Sequence, residues 1–245
     1  MIRLLIAYIS LTLFIVFAGP VLILHAVLTG RSEFMYRNGV GGLVFLTRML
    51  GVRVRVEGTK NVPDGACLFI ANHTGNVDAP AIVSSIPRQI AVIAKKSLFE
   101  IPLVGRAFRI ARFIPVDRSD HESALASVEA AVGEMKEGVS FLIYPEGTRS
   151  ADGRLLPFKK GAFVLAIKAG VPIVPVACSG AHRIWPKKKR RIYPGEVVVR
   201  FCPIVDASAY TFEQRDALAR LVHNIIAEAL PPDQRPGERA EERID

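Results

Sequence analysis

A histidine and an aspartate lie five positions apart in the segment Asn72-His73-Thr74-Gly75-Asn76-Val77-Asp78, which follows an apolar run. In a loop, this spacing lets the chain turn back, so that the Asp78 carboxylate can meet the His73 imidazole. An aspartate on one ring nitrogen fixes the tautomer and stabilises the imidazolium, and the other nitrogen can then take a proton from a hydroxyl. Taken alone, the pair fits a general base, but it also fits a structural contact or a helix cap. We interpret the remaining histidines, which lack such a setting, as structural or surface residues: His25, His121, His182 and His223.

A second candidate segment, Pro145-Glu146-Gly147-Thr148-Arg149-Ser150, follows the apolar run 140–144. Arg149 carries a planar guanidinium that can hold a phosphate through two parallel hydrogen bonds. Gly147 lets the backbone approach a ligand closely. By itself, the segment also fits an ordinary turn with a surface arginine.

Two further segments have a similar character. The run 113–118 ends a short strand with Arg118, a second arginine at a strand end. Prolines bracket the strand-like run 171–176, which predicts a shaped strand end beside the site.

Taken in this order, the four segments resemble the glycerolipid acyltransferase family, and most closely the bacterial 1-acylglycerol-3-phosphate acyltransferases. That family carries a His-x4-Asp block, an arginine block, a Glu-Gly-Thr-Arg block and a proline-bracketed block. The matching segments are 72–78, 113–118, 144–150 and 171–176, and the connecting segments 94–99 and 158–163 also look like the family. The resemblance covers roughly residues 52–205. The chain departs from the family at Arg112, where the arginine block often opens with glycine.

The resemblance implies that His73 is the general base and that Asp78 is its orienting partner. It also implies a phosphate-binding group made of Arg118, Glu146, Gly147, Thr148 and Arg149, with Lys95 and Lys96 as the next candidates for phosphate contacts. The acceptor hydroxyl would attack the thioester directly, without a covalent acyl-enzyme, while backbone amides stabilise the oxyanion. No metal or prosthetic group is implied.

The implied reaction moves a fatty-acyl chain from acyl-CoA or acyl-carrier protein to the sn-2 hydroxyl of 1-acyl-glycerol-3-phosphate. The product is phosphatidate, a precursor in phospholipid biosynthesis. The arginines favour a phosphate acceptor, but a His-Asp pair acts only on a hydroxyl and leaves three alternatives. These are acylation of another lysolipid such as a lyso-ornithine lipid, a thioesterase in which His73 activates water, and a non-catalytic membrane-binding module.

The elements that must position these residues follow an α/β pattern after residue 51. Alternating strands and helices predict a mixed, largely parallel sheet flanked by helices. Short apolar or β-branched runs bounded by Gly, Pro or charge predict strands at Val52–Val56, Cys67–Ala71, Ile90–Ala94, Ser140–Tyr144, Ile173–Cys178 and Glu196–Phe201. Ligands of such sheets bind beyond the carboxyl ends of the strands, which is where the first two candidate segments lie.

Two helices have clear start signals. Ser119 with Glu122 predicts a capping box before one apolar stripe, and Thr211 with Gln214 predicts another at the start of the last helix. The stripes are Leu125, Val128, Val132 and Met135 in the first helix, and Leu218, Leu221, Val222, Ile225, Ile226 and Ala229 in the second. Residues 51–230 are therefore the predicted acyltransferase domain. The polar segment 231–245 is predicted to be a disordered tail.

Residues 1–50 are predicted to be a helical membrane anchor. Residues 4–30 contain no Asp, Glu, Lys or Arg, and Gly19-Pro20 predicts a kink near their middle. Two arrangements fit: a kinked span, and a re-entrant hairpin whose second half is Phe34 to Leu50. Because basic residues follow the apolar segment more often than they precede it, the positive-inside rule predicts a bacterial inner-membrane protein with its catalytic domain on the cytoplasmic face.

The net charge of +9 favours an anionic partner, such as phospholipid headgroups, nucleic acid or a phosphorylated substrate. The sequence has no zinc-finger, basic-zipper or RNA-binding aromatic signature, and its apolar N-terminal segment favours membrane phospholipid over nucleic acid. The basic run 187–191 fits either a solvated loop or contact with anionic lipid. No pair of cysteines has CxxC or metal-ligand spacing, which predicts reduced thiols in the core: Cys67, Cys178 and Cys202.

Overall fold

Seven β-strands form one mixed sheet in the computed structural model, which describes residues 2–117, 120–187, 189 and 191–237. The strands are β1 (Val52–Glu57), β2 (Leu68–Ala71), β3 (Ala91–Lys95), β4 (Ile114–Val116), β5 (Phe141–Ile143), β6 (Ile173–Ser179) and β7 (Gly195–Phe201). Their order is β1-β7-β6-β2-β5-β3-β4, and all neighbours are parallel except the antiparallel pair β6–β7. The predicted mixed, largely parallel sheet is confirmed. Each predicted strand overlaps an observed one, and β4 lies within the run 113–118.

Helices surround this sheet and extend from its N-terminal side. They are α1 (Ile2–Leu13), α2 (Gly19–Thr29), α3 (Ser32–Met49), α4 (Asp78–Ser85), α5 (Val104–Ile110), α6 (His121–Lys136), α7 (Gly161–Ala169), α8 (Ala181–Ile184) and α9 (Arg215–Ala229). Shorter 3-10 turns join several of these elements.

Both faces of the sheet are covered, as the central strand β2 shows. All four of its residues are fully buried. Phe69 and Ala71 pack in one hydrophobic cluster, with residues of α1 to α4, whereas Leu68 and Ile70 pack in the other, with residues of α6, α7 and α9. Side chains alternate between the two faces of a strand, so a strand buried on both faces is apolar throughout.

The N-terminal helices form a hairpin beside the α/β domain. Helix α1 passes through a π-helical turn, Phe14–Ala18, into α2, and the helix 2–29 has a mean hydropathy of 2.4 with 11% of its most apolar window buried. Gly30, with a φ of 66°, ends α2, and α3 then runs back along it. A methyl group at Gly42 would come within 2.9 Å of the Phe14 ring, so this glycine permits close packing in the hairpin.

Two features of this segment bear on the predicted anchor. Within the described residues, the helix 2–29 is the one that is long and apolar enough to cross a membrane by length and composition. The hairpin that one of the two predicted arrangements requires is present, and α3 occupies its second half. The helix continues through Gly19-Pro20, and the π-helical turn that precedes Gly19 is, like proline itself, a common site of helix kinks.

Helix α6 differs from its prediction at both the cap and the stripe. Asp120 is the N-cap, and its carboxylate accepts a hydrogen bond from the Glu122 backbone N–H at 3.1 Å; Ser119 lies outside the described residues. Leu125 is 56% exposed, whereas Met135 is buried. The buried part of the predicted stripe is therefore the C-terminal half of α6, where Val132 and Met135 lie.

The C-terminal region matches its prediction at the helix and differs in the tail. The capping box of Thr211 and Gln214 is present, and a 3-10 turn separates it from the start of α9. Residues 232–234 form a further 3-10 turn. Gln234 is buried, and its backbone carbonyl accepts a hydrogen bond from the Leu155 N–H at 2.9 Å. The start of the predicted disordered tail is therefore packed on the domain, while residues 238–245 lie outside the described residues.

Candidate active site

The candidate residues converge because β2, β3, β5 and β6 run in the same direction. The carboxyl ends of parallel strands meet at one edge of the sheet, so the loops after β2 and β5 are neighbours there. His73 follows β2, and the segment 145–150 follows β5. The predicted proline-bracketed run forms the first half of β6, on the other side of β2. This edge therefore brings the segments after β2 and β5 together, while the proline-bracketed run lies alongside β2 and ends at Val176, level with Ala71.

Asp78 is the centre of the His-Asp loop. It is the first residue of α4 and is fully buried. Its Oδ2 atom accepts hydrogen bonds from His73 Nδ1 at 2.9 Å, from the Thr74 N–H at 2.6 Å and from the Gly75 N–H at 2.8 Å. The loop thus wraps around one carboxylate oxygen, which holds the ring of His73 in a fixed orientation. The contact expected from the five-residue spacing is present.

The ring of His73 is placed to act through its other nitrogen. It stacks on the Tyr144 ring, with centroids 4.1 Å apart, and 18% of its side chain is exposed. Since Nδ1 donates to Asp78, Nε2 is the nitrogen left to accept a proton, and it has no hydrogen-bond partner among the described residues. Burial, reinforced by the Asp78 charge, raises the pKa of Tyr144 well above its usual value, so the phenol stays neutral beside the histidine.

The backbone of His73 is held by the segment after β5. Its N–H donates to Glu146 Oε1 at 3.0 Å, and its carbonyl accepts from the Ser150 N–H at 2.8 Å. Glu146 is 4% exposed; burial raises its pKa well above the usual value, the His73 N–H opposes this rise and the Asp78 charge adds to it. Glu146 therefore supports the catalytic loop through the His73 backbone, and its place in the phosphate-binding group stays a prediction.

Asn72, directly before His73, is a residue of the site that sequence reasoning missed. Its fully buried side chain donates from Nδ2 to the Cys178 carbonyl at 2.9 Å and accepts at Oδ1 from the Cys178 N–H at 2.7 Å. The thiol of Cys178 in turn lies 3.5 Å from Asp78 Oδ1. These contacts tie the catalytic loop to β6. The available signal was an amide at the end of an otherwise apolar strand.

The remaining residues of the 145–150 segment lie beside the loop as expected for a ligand site. The Arg149 guanidinium is half-buried and hydrogen-bonds to Asn76 Oδ1, while Thr148 is exposed. Gly147 has a φ of 70°, and a side chain there would meet the end of Lys159 at about 3.1 Å. The backbone conformation therefore favours glycine here, whereas the flexible end of Lys159 can move aside.

Lys187 is a second residue that sequence reasoning missed at this site. Its Nζ atom donates to Thr148 Oγ1 at 2.7 Å and to the Arg149 carbonyl at 3.0 Å. The basic run after β6 therefore does not only face solvent or lipid, because its first member reaches the strand-end loops. The sequence signal for this contact was the run of basic residues after β6. The carboxyl end of β6 lies at the same edge of the sheet as those of β2 and β5.

The other predicted phosphate contacts are further from the dyad or outside the described residues. Lys95 and Lys96 are exposed at the carboxyl end of β3, separated from β2 by β5. Arg118 lies outside the described residues. Arg112, at the point where the family often has glycine, adopts a left-handed φ of 64° and pairs with Glu134 and Glu137. That conformation explains why glycine suits the position.

This arrangement is suited to deprotonating a hydroxyl beside an anion. His73 Nε2 can accept the proton, Asp78 stabilises the resulting imidazolium, and the cations of Arg149 and Lys187 lie beside the loop. Among the residues that the structure describes, no group of three or more His, Cys, Asp or Glu side chains is placed to hold a metal ion.

Comparison with known proteins gives a consistent picture. Residues 53–179 match the family described as Acyltransferase. The 1-acyl-sn-glycerol-3-phosphate acyltransferase of Limnanthes alba is 34% identical over 207 residues, which are 84% of this chain and 73% of that protein. The enzyme of the same description from Pseudomonas aeruginosa is 31% identical over 228 residues, covering 89% and 85% of the two chains. The crystal structure of the 1-acyl-sn-glycerophosphate (LPA) acyltransferase PlsC from Thermotoga maritima is similar, with a TM-score of 0.82, 29% identity and 93% of each chain covered.

Proposed function

We propose a function and mechanism from the premise that this chain belongs to the acyltransferase family. It is an enzyme that acylates 1-acyl-sn-glycerol-3-phosphate and makes phosphatidate for phospholipid synthesis. The acyl donor is acyl-CoA or acyl-carrier protein, both of which present the chain as a thioester. No metal or other cofactor takes part in the proposed reaction.

His73 acts as the general base. Its Nε2 takes the proton of the sn-2 hydroxyl while that oxygen attacks the thioester carbonyl. A carbon–oxygen bond forms and the carbon–sulfur bond breaks, and the imidazolium returns its proton to the departing thiolate. The observation that carries this mechanism is the contact of His73 Nδ1 with Asp78 Oδ2 at 2.9 Å, on a fully buried carboxylate held by two further backbone donors.

The acceptor phosphate lies against the loop after β5. Arg149 is half-buried, and its hydrogen bond to Asn76 holds it beside the loop that carries His73. Its planar guanidinium can form two parallel hydrogen bonds to phosphate oxygens. Gly147 and Thr148 shape that loop, and Arg118, which lies outside the described residues, is a further phosphate contact that we propose from the sequence resemblance alone. Lys95 and Lys96, at the end of β3, are the outermost cations of this group.

Particular contacts disfavour the three alternatives. A thioesterase needs only water at His73 and has no use for the cations of Arg149 and Lys187 beside it. A lyso-ornithine lipid acceptor carries no phosphate for these cations to bind. A non-catalytic membrane-binding module would not need a buried carboxylate with three donors on one oxygen.

The enzyme works at a membrane, where its acceptor and product reside. The exposed apolar side chains of the helical hairpin provide the attachment. We place the protein at a bacterial inner membrane with its catalytic domain on the cytoplasmic face, because basic residues follow the apolar helix in the sequence.

The experiment that tests this function uses the purified full-length protein in mixed micelles. It is given acyl-CoA or acyl-carrier protein in separate reactions, with a panel of lysolipid acceptors, and the products are identified by mass spectrometry. Phosphatidate formed from lysophosphatidate, with little product from lyso-ornithine lipid and little free fatty acid, is the expected result. Free fatty acid as the main product would contradict acyl transfer and favour the thioesterase.

A further inference from the structure

Lys187 places a second positive charge beside the catalytic loop, in addition to that of Arg149. It is half-buried, and its ammonium donates to Thr148 Oγ1 at 2.7 Å and to the Arg149 carbonyl at 3.0 Å. Both acceptors belong to the loop that also carries the Arg149 guanidinium. Two cations from distant parts of the sequence are therefore attached to the same short loop beside His73.

This charge has no counter-ion in the described part of the chain. Among those residues, no carboxylate oxygen lies within 4.0 Å of the Lys187 ammonium. Both of its hydrogen-bond partners are neutral oxygens. An ammonium has three donors, so one remains for a ligand. A half-buried cation without a counter-ion attracts an anion more strongly than a fully solvated lysine does.

The backbone around Lys187 is fixed by its contacts with the catalytic loop. The Asn76 N–H donates to the Trp185 carbonyl at 3.0 Å, and Gly75 forms a β-bridge with Pro186. A side chain at Gly75 would come within 2.6 Å of the Ala181 carbonyl, so the two segments are in close contact. Lys187 is therefore positioned relative to His73 by the backbone as well as by its own hydrogen bonds.

We propose that Lys187 is a specificity-determining residue, which supplies the second positive charge of the acceptor site and selects phosphate monoesters over phosphodiester lysolipids. The proposal rests on the proposed function and adds the charge state of the headgroup to it. A phosphate monoester carries a charge of about −1.5 to −2 at pH 7. A phosphodiester carries only one charge and has one fewer terminal oxygen. Arg149 can balance the first charge, and Lys187 balances the second.

The test compares two acceptors that differ by one methyl group: 1-acyl-glycerol-3-phosphate and its phosphate methyl ester. Lys187→Met should lower kcat/KM for the monoester by about 10–100-fold, mostly through KM, because a charge-assisted contact to the phosphate is lost. The value for the methyl ester should fall much less, so the preference for the monoester shrinks. Lys187→Arg should restore part of it. Lys189→Met, which removes an exposed lysine from the same run, is the matched control and should leave the preference unchanged.

A binding measurement separates this proposal from the catalytic function. Dodecyl phosphate and dodecyl methyl phosphate are titrated calorimetrically into the full-length protein without an acyl donor. The wild type should bind the monoester more tightly, and Lys187→Met should reduce that difference. Equal losses for both acceptors, or an unchanged difference in binding, would overturn the proposal and show that Lys187 only braces the Thr148–Arg149 loop. If the protein transferred no acyl chain to lysophosphatidate, the proposed function would fail while the binding result still decided the role of Lys187.

Discussion

The catalytic edge of the sheet and the N-terminal hairpin use their side chains in opposite ways. At the edge, polar groups such as Asn72 and Asp78 are fully buried, and their partners are backbone groups or side chains of the same chain. In the hairpin, apolar side chains such as Phe17 and Leu28 are 70% and 76% exposed. An exposed apolar surface of this extent marks a site for an external apolar partner. The buried polar groups of the first region are therefore paired within the chain, whereas the second region leaves apolar surface for an external partner, which we propose to be membrane lipid.

The largest expected effect is on turnover, and it is tested by replacing one histidine in each of the two regions. His73→Ala removes the general base and should lower turnover by ~10²–10⁴-fold. His25→Ala, the matched change in the hairpin, removes a ring that packs at a tilted angle on Phe34 and should leave turnover near the wild-type value. Both are measured as kcat on lysophosphatidate, with thermal unfolding and membrane fractionation to verify folding and attachment. Near-normal turnover of His73→Ala would disprove the mechanism.

The next effect asks whether the catalytic edge recognises the phosphate itself. Arg149→Ala should reduce kcat/KM for lysophosphatidate by about 10–150-fold relative to monoacylglycerol, since one charge-assisted contact is worth about 1.5–3 kcal/mol. Arg149→Lys should restore only part of this, because an ammonium cannot form the bidentate fork. Arg154→Ala removes an exposed arginine from the following loop and serves as the control. If the ratio between the two acceptors did not change, Arg149 would be structural.

A third prediction tests the hairpin with two leucines of nearly equal exposure. Leu24 in α2 is 58% exposed and Leu125 in α6 is 56% exposed. Leu24→Glu should shift the protein from the membrane to the soluble fraction, because a charge within the apolar layer costs up to about 3 kcal/mol. Leu125→Glu should not. Activity of both variants on a short-chain, soluble acceptor should match the wild type. Equal membrane fractions for the two variants would mean that the helix 2–29 is not the attachment.

The smallest effect concerns the charge of Glu146. A folded-state pKa raised above the usual 4.5 contributes stability that is fully present below that value and is lost as pH rises through the raised pKa. Glu146→Gln keeps an oxygen for the His73 N–H but cannot ionise, so its melting temperature should fall less than that of the wild type from about pH 5 to about pH 9.

Glu213→Gln is the control for that measurement. Glu213 is exposed, and its pKa is lowered by a hydrogen bond from Thr211, so the substitution should not reduce the alkaline loss of stability. If Glu146→Gln and the wild type lost stability in parallel, burial of Glu146 would not control its ionisation.

The sequence predicted best what depends on neighbouring residues. His73 and Asp78 are in contact and only five positions apart in the sequence. The strands that position them were predicted from apolar runs. Contacts between distant segments were not predicted: Lys187 meets Thr148 across 39 positions, and Asn72 meets Cys178 across 106. The burial of Glu146 was not predicted either, because it depends on how the segment after β5 packs against the loop after β2. The predicted N-cap, Ser119, and the observed one, Asp120, are adjacent in the sequence. Serine and aspartate both favour the N-cap position, so the sequence pattern alone did not distinguish them.

The pair of bonds between Asn72 and Cys178 also restricts which amino acid can occupy the first position of the loop. The side-chain amide imitates a peptide group, offering one donor and one acceptor to the backbone of β6. Aspartate would turn a second acceptor towards the Cys178 carbonyl, and leucine would leave both backbone groups unpaired in a fully buried place. Glutamine would move the amide by one methylene and lose the register. The amino acids tolerated at this position are therefore limited by the hydrogen-bond donors and acceptors that they offer to Cys178, rather than by side-chain volume. A library of substitutions screened for folded protein should retain asparagine there.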